Sequence, residues 1–433
     1  MPYESGNRLP YERASKLGHL DIIKSPLVQK LIASFEDATG PPTLGTTSWV
    51  PLPIRLNTLP IVFAVDGSYR VIESSSPPHK AVAFVKTALL RLDQHAISSL
   101  DRQNPHPFAI RDIMRDSAAY HATILPMRHV VVPGTNVYDT IRHIIFESIK
   151  DPLLDGQVFE TLKWLAYEKW DGVTKALQPF ACPHCASETA TLPFDAERGP
   201  CPHCGQELLL TDMLGFHQVM SQDFAPDAVA SDYMGVHETL LLFTGIRHYW
   251  ENNRKVLAKC LFVKDGPLSI RAQYSKLVSP IRRFLAHARD SGSPTFVVGQ
   301  EKTGAFADHL ALIGDAAPTG HMFIPGNSYI RENIQHRSAA VAPYGKDTNY
   351  GAKLLVKLNE RHRMVLNIPT GEFKENPSPA DMIGPEVILS TLAGLTSSRF
   401  EGGLLPIELA NAVASLSTYP SAQMLKLFAD SET

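Results

Sequence analysis

Apolar runs separated by turn-forming residues recur along the chain and predict a succession of helices and strands. The first helical pattern begins at Ser25, which suits an N-cap, and Pro26, which suits the first helical turn. Apolar residues then recur at helical spacing, and a Gly-Pro-Pro sequence at 40–42 ends the helix. Further helices are predicted within 137–172, 232–253 and 406–416.

Strand patterns alternate with these helices. The run TLPIVFAV (58–65) predicts a buried central strand. YRVIE (69–73) and AVAFVKTALLRL (81–92) are predicted to continue as antiparallel strands, although the second also fits a helix. Later strands are predicted in KVLAKCLFV (255–263), PTFVVGQ (294–300) and a hairpin over 352–368. Interleaved strands and helices of this kind indicate an α/β protein.

Composition and charge narrow the class of protein. The 433 residues are 44% hydrophobic and 20% charged, and the formal net charge is −3, so any nucleic-acid surface must be local. The N-terminus has no apolar segment typical of a secretory signal, and no apolar run approaches the roughly 18 to 20 residues needed to cross a membrane. We therefore expect a cytoplasmic protein without a membrane partner.

Four of the five cysteines form two CPHC sequences, which supply Cys182, Cys185, Cys201 and Cys204. This spacing is typical of a zinc ribbon, in which each pair offers two thiolates to one tetrahedral ion. A redox dithiol is the alternative, but it would make two matching pairs a coincidence. His184 and His203 stand between the ligands and are not expected to bind. Because cysteine supplies all four ligands, the predicted zinc ion is structural.

Two aspartates, Asp66 and Asp265, follow apolar strand patterns, and a glycine follows each. Either Asp-Gly pair alone is ordinary turn chemistry. If the two strands are neighbours in one sheet, however, both carboxylates emerge side by side, which suits Mn²⁺ or Mg²⁺. Two such ions, about 4 Å apart, activate water and stabilise the leaving oxygen in phosphodiester hydrolysis. The glycines would leave room for a phosphate.

A third acid and a cation complete the predicted site. Glu238 lies in the apolar part of the helix before Asp265 and needs a partner there, whereas its competitor Glu251 belongs to a solvated helix end. Lys302 ends an apolar strand and suits charge developing on a phosphate, although a surface lysine is the plain alternative. Residues 331–363 carry seven Lys/Arg against three Asp/Glu with interleaved tyrosines, which fits a DNA groove or an ordinary solvated surface equally well.

These motifs resemble the NurA family of DNA-end-processing nucleases, as a bacterial-type member with a zinc-ribbon insertion. The resemblance rests on FAVDGS (63–68), VKDGPLS (263–269) and VVGQEKTG (297–304), with the later hairpin, and extends from about residue 55 to about residue 420. It implies an N-terminal arm at 1–50 and a nuclease domain at 51–433, which the ribbon at 178–212 interrupts. The implied core is an RNase H-like mixed β-sheet flanked by helices.

The resemblance also implies an activity and partners. It implies a Mn²⁺- or Mg²⁺-dependent exo- and endonuclease that acts on DNA as a homodimer and works with a HerA-type hexameric ATPase, in DNA repair or in defence against foreign DNA. Asp66, Asp265 and Glu238 become the metal ligands and Lys302 an active-site cation. Family members tend to have a histidine in the C-terminal helix, where Asn411 is the nearest counterpart here.

Two alternatives remain. The first is a catalytically inactive adaptor that keeps the fold and binds DNA or protein. The second is a phosphohydrolase for small nucleotides, for which the chain has no base- or ribose-specific motif. A GxxxxGK[ST] loop is also absent from the sequence, so ATP-driven translocation requires a partner.

Overall fold

The computed structural model describes residues 22–35, 49–54, 57–74, 77–94, 118–270, 276–336, 342–397, 401–416 and 423. The chain divides into two compact units, residues 1–43 and residues 44–433. Within the first unit lies helix α1 (Pro26–Ala33), which confirms the predicted N-terminal helix. No residue of α1 is buried, and Ser25 makes no side-chain capping hydrogen bond. The predicted end at 40–42 lies outside the described residues.

The second unit is built on a large mixed β-sheet. Its strands are β1 (Val50–Pro51), β2 (Ile61–Glu73), β3 (Ala81–Asp93), β4 (Ala118–Arg128), β7 (Cys260–Asp265), β8 (Phe296–Glu301), β9 (His321–Phe323), β10 (Ala352–Lys357) and β11 (Arg363–Ile368), while β5 (Arg198–Pro200) and β6 (Glu207–Leu209) pair separately. The nine strands follow the order β1-β9-β10-β11-β8-β7-β2-β3-β4. β2, β7 and β8 are parallel neighbours, and all other neighbours are antiparallel.

Helices cover both faces of this sheet. They are α2 (Val137–Ile149), α3 (Gln157–Ala166), α4 (Ala228–Asn252), α5 (Arg254–Leu257), α6 (Val278–Asp290), α7 (Ala305–Ile313), α8 (Asn327–Tyr329), α9 (Pro385–Ala393) and α10 (Leu405–Ala414). The arrangement confirms the predicted α/β class, with a mixed sheet flanked by helices. In the part of the chain that the structure describes, no helix is long and apolar enough to cross a membrane.

The alternation of side chains along β2 explains the two layers. Phe63 and Val65 belong to one apolar core together with residues of α4, such as Phe243. Val62 and Ala64 point to the opposite face and join a second core with residues of α9 and α10. Since successive residues of a strand face opposite sides, one central strand anchors helices on both faces.

The structure corrects two of the predicted segments and confirms the strand interpretation of a third. β2 continues through the Asp-Gly pair as one strand of 13 residues, because β3 pairs with it from Ile61 opposite Asp93 to Glu73 opposite Ala81. Asp66 therefore lies within β2, and the prediction that it ends a strand is wrong. The ambiguous segment 81–92 is strand β3, and the start of the predicted strand 255–263 is helix α5.

The cysteine module is packed into the core of the second unit. Cys182 and Cys201 are buried in the apolar cluster that also contains residues of α2, α3 and α4. Arg142 of α2 makes a buried ion pair of 2.9 Å with Asp212, and the Tyr138 hydroxyl donates to the carbonyl oxygen of Pro183 at 2.8 Å. The module is thus held by both apolar and polar contacts.

Candidate active site and cysteine metal site

The two aspartates come together through the register of the parallel strands. Val65 of β2 lies opposite Lys264 of β7, and the hydrogen-bonded pairing between these strands ends there. Asp66 and Asp265 occupy the next position on their respective strands. Because side chains alternate in step along paired parallel strands, the two carboxylates emerge next to each other. The sequence left open whether the two strands are neighbours in one sheet, and the structure shows that they are.

A cleft of about 830 Å³ opens at this edge of the sheet. The four residues predicted for catalysis all line it, together with Asn411 of α10: they are Asp66, Glu238, Asp265 and Lys302. The competitor Glu251 lies elsewhere, with an exposed side chain 3.6 Å from Arg247. The structure thus gathers the predicted acids and the cation in one place, while their chemical roles stay predictions.

Asp66 lies in an environment that favours a cation. Its side chain is 4% exposed, its Oδ1 accepts a hydrogen bond of 2.7 Å from the Gly67 amide, and its Oδ2 is buried without a partner. Burial and the negative charges of Asp265 and Glu238 raise the pKa of Asp66 to about 7, although the Gly67 amide and Lys302 oppose the shift. An orphaned carboxylate oxygen among other acids fits a hard divalent cation.

Asp265 ends β7 and is paired with the predicted cation. Lys302 Nζ donates to Asp265 Oδ2 at 3.0 Å, and both side chains are partly exposed to the cleft. Gly266 has a φ of +88°, in the left-handed region that favours glycine, and its amide donates to the Gln300 carbonyl oxygen at 2.7 Å. The turn therefore needs Gly266 for its backbone conformation.

Glu238 has a partner that sequence reasoning missed. It is 3% exposed on α4, and its Oε2 accepts a hydrogen bond of 2.6 Å from Lys264 Nζ, which is also buried. A lysine inside the apolar run of β7 was the available signal, because a buried ammonium needs a counter-charge. In the described part of the chain, the acids of the cleft do not form a group of three whose ligand atoms all lie within 4.8 Å of one another.

A glycine is required at position 67 because side chains of α4 approach it closely. A Cβ atom added there would lie 2.6 Å from Glu238 Oε1 and 2.6 Å from Met234 Cγ. The space on the Cβ side of Gly67 is thus filled by α4, and glycine allows α4 to bring Glu238 against β2. Gly67 also lines the cleft, so the room that it leaves for a phosphate stays a prediction.

The four cysteines fit a tetrahedral metal ion such as zinc. Their sulfur atoms all lie within 4.8 Å of one another, with Cys182 and Cys204 3.9 Å apart and Cys185 and Cys201 4.0 Å apart. A zinc ion with Zn–S bonds of about 2.3 Å places its sulfur ligands about 3.8 Å apart.

The surroundings of the cysteines agree with a closed site. The amides of His184 and His203 donate to Cys182 Sγ and Cys201 Sγ at 3.4 and 3.5 Å, as a thiolate would require. The imidazole of His184 contacts the Glu207 carbonyl oxygen. That of His203 contacts the Thr189 hydroxyl. Both side chains are therefore engaged away from the sulfur atoms.

Three side chains of the basic segment 331–363 are placed where they do not serve a stacking groove. Tyr350 is 1% exposed and belongs to the core. Lys353 is buried and paired with Glu301, while Arg363 pairs with Asp315. These side chains are therefore not available to stack on bases or to follow a phosphate backbone. Residues 337–341 lie outside the described part.

Helix α10 supplies Asn411 to the cleft and is tied to the central strands. Lys86 Nζ of β3 donates to the Val413 carbonyl oxygen at 2.6 Å, and the Leu416 amide donates to Ser68 Oγ at 3.2 Å. Asn411, the nearest counterpart of the histidine that the resemblance implied, thus lines the cleft.

Comparison with known proteins adds little to this geometry. No family model matches the chain, and no curated protein matches it. A solved structure described as "Crystal structure of NurA" is similar over 97% of this chain and 98% of that chain, with 12% sequence identity and a TM-score of 0.30. A likeness at that TM-score supports no conclusion about function.

The contact between α4 and β2 can be tested at Gly67. We expect Gly67→Ala to lower the free energy of unfolding by about 1–3 kcal/mol, because the new methyl group meets Glu238, which Lys264 holds in place. Gly235→Ala is the matched control, since a Cβ there meets nothing within 4 Å. Urea unfolding should show this control neutral or up to about 1 kcal/mol more stable. Equal effects would contradict the close contact.

The raised pKa of Asp66 predicts a pH-dependent stability. Because the folded state holds this proton more tightly than the unfolded state, stability falls as the pH rises from about 4 to about 7. Without added divalent cation, Asp66→Asn should therefore be more stable than the wild type at pH 8, on the order of 2 kcal/mol, and not at pH 4. Unfolding curves at both pH values, with exposed Asp290→Asn as control, test this. A difference that does not change with pH would refute it.

The cysteine site predicts about one zinc ion per chain. Metal analysis of the purified protein should find this ion, and Cys182→Ser combined with Cys201→Ser should lose it together with stability, because both residues are buried in the core. Cys260→Ser is the matched control, as Cys260 is a buried thiol outside the cluster. A folded, metal-free wild type would exclude a structural ion.

Proposed function

We propose that this chain is a Mn²⁺- or Mg²⁺-dependent DNA nuclease of the NurA type. The observation that carries the proposal is the pair of carboxylates, Asp66 and Asp265, on adjacent parallel strands at the edge of an open cleft. The unpartnered Asp66 oxygen and the nearby Lys302 ammonium support a site for a cation and a phosphate.

The strand order supports an RNase H-like core for this nuclease. β4, β3 and β2 form an antiparallel meander, and β7 and β8 continue the sheet in parallel with β2. Such an order brings the carboxyl ends of β2, β7 and β8 to one edge. Asp66 within β2 and Asp265 at the end of β7 then lie at the same level of two adjacent strands.

The residues of the cleft have distinct tasks in the proposed hydrolysis. A divalent cation, when bound, supplies Lewis-acid activation of water and stabilises charge on the leaving oxygen. Asp66 and Asp265 would hold it with hard oxygen ligands, with Glu238 as the third acid of the site. Lys302, paired with Asp265 and open to the cleft, would contact a phosphate oxygen and stabilise the charge that develops there.

The partners in this proposal are those that the resemblance to NurA proteins implies. They are DNA as substrate, a second copy of the chain, and a HerA-type hexameric ATPase, since the chain lacks a phosphate-binding loop of its own. The role would be DNA end processing or defence against foreign DNA. An inactive adaptor of the same motor complex is the second candidate, and the partly exposed Asp265–Lys302 pair in the open cleft favours the nuclease.

Cleavage of linear duplex DNA with Mn²⁺ is the direct test. We expect Asp66→Asn and Asp265→Asn each to reduce cleavage by more than about 100-fold, because even the hydrogen-bond partners of metal ligands commonly account for 10- to 100-fold. Lys302→Ala should reduce it more than Lys302→Arg, which keeps a positive charge.

Controls separate chemistry from folding. Asp290→Asn changes an exposed acid of α6 and should cleave like the wild type, and each variant should retain its circular dichroism spectrum. Assays with and without the ATPase distinguish an inactive chain from one that needs its motor. Cleavage that survives both aspartate substitutions would refute the assignment, and DNA binding without cleavage under all conditions would establish the adaptor.

A further inference from the structure

Lys264 is a buried cation that lies directly beside the proposed metal site. Its side chain is 4% exposed, and its Nζ donates to Glu238 Oε2 at 2.6 Å and to the Asp265 carbonyl oxygen at 3.0 Å. Two oxygen acceptors therefore hold the ammonium group inside the wall of the cleft.

Glu238 is hydrogen-bonded at one oxygen and closely packed at the other. Oε2 accepts from Lys264, while Oε1 lies against Gly67, where not even a methyl group would fit. The carboxylate is thus confined between β2 and β7, next to Asp66. An oxygen already bonded to an ammonium group at 2.6 Å can ligate a second cation only by giving up that bond or sharing it.

The charges of the cleft show what Lys264 changes. Asp66, Glu238 and Asp265 contribute three negative charges when ionised, and Lys264 and Lys302 contribute two positive charges, which leaves one negative charge. Two other acids also line the cleft: Glu301 is paired with Lys353, and Asp232 has an interaction of its own. One divalent cation and one singly charged phosphodiester would therefore bring the central group to neutrality.

We propose that Lys264 is a built-in counter-ion that positions Glu238 and limits the DNA-free protein to one divalent cation, held by Asp66 and Asp265. This inference rests on the proposed function, whose sequence motifs implied two ions. Lys264 takes the place beside Glu238 that a second ion would otherwise take. It is a positioning residue, because it acts through Glu238.

A purely structural ion pair is the competing explanation. Buried ion pairs seldom stabilise a fold more than apolar residues of similar size, because desolvation offsets their attraction. The pair Arg142–Asp212 offers a comparison within the same unit, since it is equally buried and lies among the residues around the cysteine module. A structural role predicts that removal of either cation has the same consequences.

The test is a Mn²⁺ titration of the zinc-loaded full chain without DNA, followed by electron paramagnetic resonance. We expect one Mn²⁺ per wild-type chain, lost in Asp66→Asn combined with Asp265→Asn. Lys264→Met should bind two ions, or one ion at least about tenfold more tightly, because a positive charge near the site is gone. Mn²⁺ should also raise the thermal midpoint of Lys264→Met more than that of the wild type.

Matched variants make the outcome decisive. Arg142→Met should be destabilised without any gain in Mn²⁺ binding or any rescue by Mn²⁺. If Lys264→Met does not fold alone, Mn²⁺ must restore its folding, and failure to do so overturns the inference. Two ions on the wild type, or unchanged binding by a folded Lys264→Met, also overturn it. Absence of Mn²⁺ binding by the wild type would instead refute the proposed nuclease itself.

Discussion

The register between β2 and β7 is the constraint on which the candidate site depends. It places Val65 opposite Lys264, so that Asp66 and Asp265 follow at the same level of two adjacent strands. A shift of one residue would turn one aspartate to the opposite face, because side chains alternate along a strand. The apolar residues on both faces of β2 prevent such a shift, since each belongs to a separate core. Packing of the sheet thereby sets the distance between the two acids.

Gathering acids in one place has an electrostatic cost, which the surrounding residues offset unequally. Glu238 is balanced by Lys264 and Asp265 by Lys302, both at hydrogen-bonding distance. Asp66 has only the Gly67 amide and keeps one oxygen without a partner, and burial together with the neighbouring acids raises its pKa to about 7. The imbalance is what distinguishes a site for a cation from a closed network of ion pairs, in which every charge already has its partner.

Local patterns in the sequence were sufficient for part of this arrangement. The α/β class, the late hairpin β10–β11, helix α10 and the cysteine cluster all follow from periodicity or spacing. The course of β2 through Asp66 did not, because pairing with β3 overrides the turn preference of Asp-Gly. Lys264 and the role of Gly67 also escaped, since each depends on how α4 packs across the sheet. The prediction of a stacking role failed at Tyr350, because composition alone does not reveal that this side chain is buried.

The cysteine module packs into the same apolar core as the helix that carries Glu238, so the two can influence each other. Cys182 and Cys201 lie in the same apolar cluster as Val236 and Leu240, the neighbours of Glu238 along α4. Close-packed interiors transmit displacement, because few voids exist to absorb it. The tolerance for movement at Glu238 is small, since its oxygens are confined by Gly67 on one side and Lys264 on the other. A metal ion bound by the cysteines would therefore also steady the helix that carries the buried acid, although the cysteines do not line the cleft.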